Sequence, residues 1–144
     1  MTTRMVAALG FAVAAISLVV ASGLLVACSN RQASLNRRPH TGAATASTIG
    51  GVQQVTLTVG EDFRFHPSTI TVHQGTVKIT LVHSSSGAPH DFSVNNFPND
   101  MVPLVQAGQT KSSTFTTPSP GTYQFECTVH VAQGMTGTLV VLPD

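Results

Sequence analysis

From residue 51 onward the sequence, 144 residues in all, shows no helical periodicity and no internal repeat, which argues against helical bundles and repeat architectures there. It also lacks a Ser/His/Asp arrangement, a suitably placed pair of carboxylates and a phosphate-cradling glycine loop, so it is not expected to be an enzyme. Basic residues are scarce in the part that reads as folded. From residue 51 onward Arg64, Lys78 and Lys111 face Glu61, Asp62, Asp91, Asp100, Glu126 and Asp144, three against six, a formal charge of −3. That sign is wrong for nucleic acid. Cysteine is sparse as well, with only Cys28 and Cys127.

The amino terminus has a different character. Arg4 is followed by an uncharged, largely apolar run over residues 5–27, the pattern of an export signal. The run is long enough for an uncleaved membrane helix to compete with that reading, although Arg31, Arg37 and Arg38 follow it where only Arg4 precedes it. It ends in Leu25-Val26-Ala27-Cys28, which resembles a bacterial lipobox; the resemblance implies a lipid on Cys28 and a cell-membrane lipoprotein on the extracytoplasmic face. Residues 28–50, rich in Ser, Thr, Ala and Gly, read as a flexible linker. The organisation expected is therefore a signal over 1–27, a tether over 28–50 and one small domain over 51–144.

Residues 123–142 carry the chemistry. Tyr123, Phe125 and Cys127 alternate with Gln124 and Glu126 at the period of a half-buried strand, which puts Cys127 on the inward face at the strand's end. A β-branched run resumes at Thr136, so the intervening turn holds a thiol, an imidazole and a thioether at Cys127-x-x-His130-x-x-x-x-Met135 spacing. One tight loop could aim all three at a point. Thiolate and thioether are soft donors, and two imidazoles, a thiolate and a distant methionine make up a blue-copper donor set. His90 is the expected fourth donor because Pro89 stiffens its entry, with His83 as a rival. His40, His66 and His73 read as solvated or turn residues and Met101 as core. Zinc fits less well, since a thioether is a poor zinc ligand.

Cys127 is otherwise a lone thiol in an oxidising compartment, and metal ligation would protect it. A Cys28–Cys127 disulfide is the competing fate.

Upstream, strands are expected at 52–59, 69–73, 76–83, 92–97 and 110–116, a short alternating piece at 63–68 is broken by Pro67, and 98–109 reads as an irregular connection with two prolines. With the two strands of 123–142 this gives about seven or eight short strands, an all-β sandwich.

Phe65-His66-Pro67-Ser68-Thr69-Ile70-Thr71-Val72 before Gly75, Pro89-His90-Asp91-Phe92, and the loop with Gly134, Met135 and Gly137 together resemble the cupredoxins, with a plastocyanin-like loop. The resemblance implies a Greek-key sandwich with one type 1 copper held by His90, Cys127, His130 and Met135. It further implies single-electron transfer between larger redox proteins, donor and acceptor, through the exposed edge of His130. Plastocyanins typically place asparagine after the first histidine ligand, where it braces the loop beyond the cysteine. Asp91 stands there in this sequence, with the Thr128 backbone and hydroxyl as its expected partners. A monomer is expected. A module that stores or delivers copper is the main alternative, and a metal-free scaffold a third reading.

Overall fold

The computed structural model describes residues 39–144; the expected signal, Cys28 and the three linker arginines lie outside the described residues. Among the described residues ten strands form two sheets. They are β1 (Ala43–Thr45), β2 (Ser47–Ile49), β3 (Val52–Val59), β4 (Thr69–His73), β5 (Thr76–His83), β6 (His90–Val94), β7 (Phe97–Val105), β8 (Thr110–Thr116), β9 (Gly121–Glu126) and β10 (Thr136–Leu142). One sheet runs β1-β4-β10-β9-β6-β7 and the other β2-β3-β5-β8. The chain passes from sheet to sheet at β1–β2, β3–β4, β4–β5, β5–β6, β7–β8 and β8–β9, as a Greek-key sandwich requires.

Alternation decides which residues go inside. Val55, Leu57 and Val59 of β3, Val77, Ile79 and Leu81 of β5, and Ile70, Val72, Leu139 and Val141 of β4 and β10 meet in one buried cluster. Phe65, Phe92 and Phe125 fill its centre, fully buried, with ring centroids 4.9 to 6.2 Å apart. Burying each such ring stabilises the fold by roughly 2–3 kcal/mol, and β6 and β9 bring Phe92 and Phe125 directly beneath the end of the sandwich where His90 and Cys127 stand.

The strand count exceeds the expected seven or eight for two reasons. First, β1 and β2 fall inside the stretch read as flexible linker. β1 pairs with β4 in parallel (Ala43↔Thr69) and β2 with β3 antiparallel (Ser47↔Gln54), through Gly50 and Gly51 at φ 59° and 79°. Two left-handed residues between paired strands make a type I′ hairpin turn, which glycine allows. These edge strands are only three residues long and mostly exposed, so they leave no hydrophobic period to read.

Second, β7 occupies most of the expected irregular connection. It pairs only with β6, at the sheet edge, where Pro98 and Pro103 cost fewer ladder bonds, and the register shifts twice along the pair. The expected strand 92–97 is accordingly β6, starting earlier at His90 and ending at Val94, after which Asn95 and Asn96 turn the chain. Met101, expected in the core, lies on β7 with 37% of its surface exposed.

Candidate metal centre

Cys127 follows directly on β9, and Thr136, which opens β10, pairs with Glu126. The nine residues 127–135 therefore have to turn within one strand spacing. Cys127 N–H donates to the Met135 carbonyl at 3.0 Å, closing the loop at its base. His130 N–H donates back to Cys127 at 3.0 Å, and Val131–Gln133 form one 3₁₀ turn that the N–H groups of Gln133 and Met135 tie to the His130 carbonyl, at 3.0 and 3.3 Å. Gly134, at φ 72°, ends that turn in the left-handed region.

Three donors converge. Cys127 Sγ lies 3.4 Å from His130 Nδ1 and 3.8 Å from His90 Nδ1, and the two Nδ1 atoms are 3.1 Å apart. His90, Cys127 and Met135 are fully buried, whereas His130 keeps an exposed part. His90, the first residue of β6, is oriented by Gly60: its Nε2 donates to the Gly60 carbonyl at 2.9 Å, which leaves Nδ1 with its lone pair facing the sulfur. Phe63 sets its ring edge-on against both imidazoles, with centroids 5.7 Å from His90 and 4.8 Å from His130.

His83, the rival donor, stands behind the site. Its ring stacks on His90 at 5.0 Å and 16°, and both its nitrogens face backbone carbonyls, those of Ser84 and Ala88, at 2.7 Å each. Asp91 braces the loop: Oδ1 accepts from Thr128 N–H at 2.7 Å and Oδ2 from the Thr128 hydroxyl. His40 and His73 are exposed and His66 pairs with Asp62 at 2.6 Å, all away from the centre.

The electrostatics favour a neutral cluster without metal. Burial pushes the Cys127 thiol up to about 12, the Asp91 charge adding to it while backbone N–H groups of Asp91 and Val129 oppose it. Burial holds His90 down to about 4, against the pull of the Gly60 carbonyl, and lowers His130 as well. Two imidazole nitrogens and one sulfur, all within 3.1 to 3.8 Å of one another, are placed to share a single cation. Soft sulfur with imidazole nitrogen is the donor chemistry of copper, so the residues fit that ion.

Sequence reasoning missed Gly60, Phe63 and Arg64. Gly60 acts through a backbone carbonyl and leaves no side-chain signal. Phe63 and Arg64 sit in the short piece before Pro67, where alternation marks Phe65 but says nothing of contacts across the fold.

A two-sheet sandwich with a Cys/His/Met loop and an upstream histidine at one end defines a cupredoxin-type copper protein. The chain belongs to that family: the cupredoxin-like domain matches over residues 18–141. Auracyanin-B of Chloroflexus aurantiacus is 50% identical over 42 residues, 28% of this chain but only 18% of that protein's length. Among solved structures, auracyanin A of the same organism, described as a "blue" copper protein, is 26% identical with a TM-score of 0.53, covering 69% of this chain and 99% of that one. The Cu(I)-bound metal-binding domain of the Cu(I)-exporting P-type ATPase CopA of Streptococcus pneumoniae D39 is 19% identical with a TM-score of 0.58, covering 72% and 99%, a likeness of fold alone. One type 1 copper ion is the cofactor of this chain.

Proposed function

We propose that the protein is a blue-copper electron carrier in which His90, Cys127 and His130 would hold the ion, with the Met135 thioether as a further sulfur donor. The observation that supports it most directly is the convergence of two Nδ1 atoms on the buried Cys127 sulfur within 3.1 to 3.8 Å. When bound, copper supplies a one-electron Cu(I)/Cu(II) couple. The chain's part is to hold the donors still. Gly60 and Phe63 fix the imidazoles, Asp91 fixes the loop beyond the cysteine, and the aromatic core below excludes water. Such a frame leaves little to rearrange between oxidation states.

The electron port is the exposed part of His130, flanked by Val129 and Val131, which are 51% and 46% exposed. Apolar neighbours round the port suit brief docking with redox proteins. The domain does no catalysis of its own and works as a monomer. It is tethered through lipid on Cys28 at the extracytoplasmic face of a membrane, a reading supported by the apolar run over 5–27 that ends at Cys28.

Copper-loaded protein decides the matter. An intense blue colour, narrow parallel hyperfine splitting in the paramagnetic resonance spectrum and reversible cycling at an electrode without metal loss are expected. Ready surrender of copper to a chelator would instead favour copper delivery. For the tether, Cys28→Ala should move the protein from membranes to the soluble fraction.

A further inference from the structure

The segment between β3 and β4 reaches the metal centre at three points. Gly60 accepts from His90, Phe63 packs on both imidazoles, and Arg64 Nη1 donates to the Phe63 carbonyl at 2.7 Å and to the Gln133 carbonyl at 3.0 Å. Gln133 is 69 residues away in sequence and ends the 3₁₀ turn inside the ligand loop. Arg64 is only 1% exposed. The chain accepts a left-handed residue to place this group: Phe63 has φ 56°, a conformation unfavourable for a bulky side chain. Arg64 N–H donates to Asp62 Oδ1 at 3.3 Å, and Phe63 N–H to the Gly60 carbonyl at 3.3 Å, holding the bend.

The turn needs such help. A three-residue 3₁₀ helix has poor hydrogen-bond geometry, and this one has no side-chain cap. Yet it spaces His130 from Met135, and the backbone N–H groups of Gln133, Gly134 and Met135 bond back to His130 and Val131. A guanidinium is a permanent cation with donors in a rigid plane, able to hold two carbonyls at once.

We infer that Arg64 is a positioning residue of the metal centre: by bridging the carbonyls of Phe63 and Gln133 it locks the ligand loop to the segment that braces both imidazoles. His130 and Met135 are thereby held in place relative to Cys127. In its spectroscopic consequence this rests on the blue-copper reading; in its mechanical consequence it does not.

The test uses the full chain with Arg64→Gln and Arg64→Lys, read three ways. Amide exchange in the metal-free protein follows Gln133, Gly134 and Met135, with β5 amides as the internal reference. Copper release to a chelator and the visible and paramagnetic resonance spectra follow the loaded protein. In Arg64→Gln the three turn amides should exchange roughly tenfold faster relative to β5, the factor for loss of a charge-assisted bond of ~1.4 kcal/mol. Copper release should quicken, and the intensity ratio of the two charge-transfer bands should change. Arg64→Lys, which keeps the charge on a single point donor, should fall between the two. Turn exchange and spectra identical to wild type, with only the melting temperature lowered, would overturn the inference. Should Arg64→Gln fail to fold, wild-type values for Arg64→Lys on all three readouts would overturn it equally. A wild-type protein that stays colourless with Cu(II) ends the blue-copper reading, and amide exchange still decides on the clamp.

Discussion

Asp91 and Thr128 are joined twice, through the Thr128 backbone N–H and its hydroxyl, each to a different carboxylate oxygen. The pair ties the start of β6, one residue after His90, to the chain one residue after Cys127. Replacing Asp91 by asparagine keeps one carbonyl oxygen for the N–H, and the new amide can donate to the hydroxyl oxygen instead. The brace survives while a negative charge beside the metal disappears. Asp91→Asn should therefore cost only ~1 kcal/mol of stability, whereas the reduction potential should rise by tens of millivolts, on a scale where 59 mV is a tenfold change in a one-electron equilibrium. Voltammetry beside urea unfolding checks this. An unchanged potential with a large stability loss would mean that Asp91 acts by bracing alone.

His90 and His83 stack on one another, so colour loss in either variant needs careful assignment. His90 presents Nδ1 to the sulfur; His83 has both nitrogens engaged with carbonyls of its own loop. His90→Ala should abolish the blue absorption at any copper concentration. His83→Ala should keep it, at a stability cost of about 1–3 kcal/mol from the hydrogen bond lost to its own loop. Paired spectra of the two variants settle which imidazole binds, and the reverse outcome would reassign the fourth ligand.

Much of this was legible in the sequence, and the gaps have definite causes. Strands β3, β4, β5 and β10 announce themselves because one face is core and the other solvent, so burial writes a period of two. The loop from Cys127 to Met135 is legible because all three donors sit on one short connection, where spacing translates directly into proximity. Edge strands β1 and β2 escape notice: they are three residues each and mostly exposed, so burial writes no period in them. β7 is masked by its prolines, which an edge tolerates. His90 could be preferred over His83 only by loop context, since both end up buried and adjacent. Arg64 is the clearest illegible case, because its carbonyl partner at Gln133 is visible only once the segment between β3 and β4 lies beside the ligand loop.

Val131 offers a test of the port that does not depend on knowing the natural partner. It is 46% exposed beside His130, so Val131→Glu should leave folding stability within about 0.5 kcal/mol of wild type. Electron self-exchange between two copies, if it passes through His130, would then bring like charges together. The rate, followed by line broadening in mixtures of oxidised and reduced protein, should fall roughly tenfold at low salt and recover as salt screens the pair. A rate unaffected by the charge would place the port elsewhere on the surface.

The metal-free protein should be most stable in a limited pH window, and the buried donors set both edges. His90 has its folded value lowered from 6.5 to about 4, so as pH falls through that interval the unfolded chain takes up a proton that the native site refuses. Stability is lost on the acid side, on the order of 3 kcal/mol by pH 4 from His90, with His130 adding in the same direction. Cys127 is raised from 9.0 to about 12, so the unfolded thiol ionises first as pH rises, and stability is lost on the alkaline side. Between roughly pH 6.5 and 9 the curve should be flat. Within that plateau copper must displace the thiol proton, so binding should release about one proton per ion and tighten about tenfold per pH unit. Urea unfolding across the pH range reads the first effect, and calorimetric titration in buffers of differing ionisation heat reads the second. A metal-free protein equally stable at pH 4.5 and 7.5 would mean that His90 is not held neutral by its surroundings.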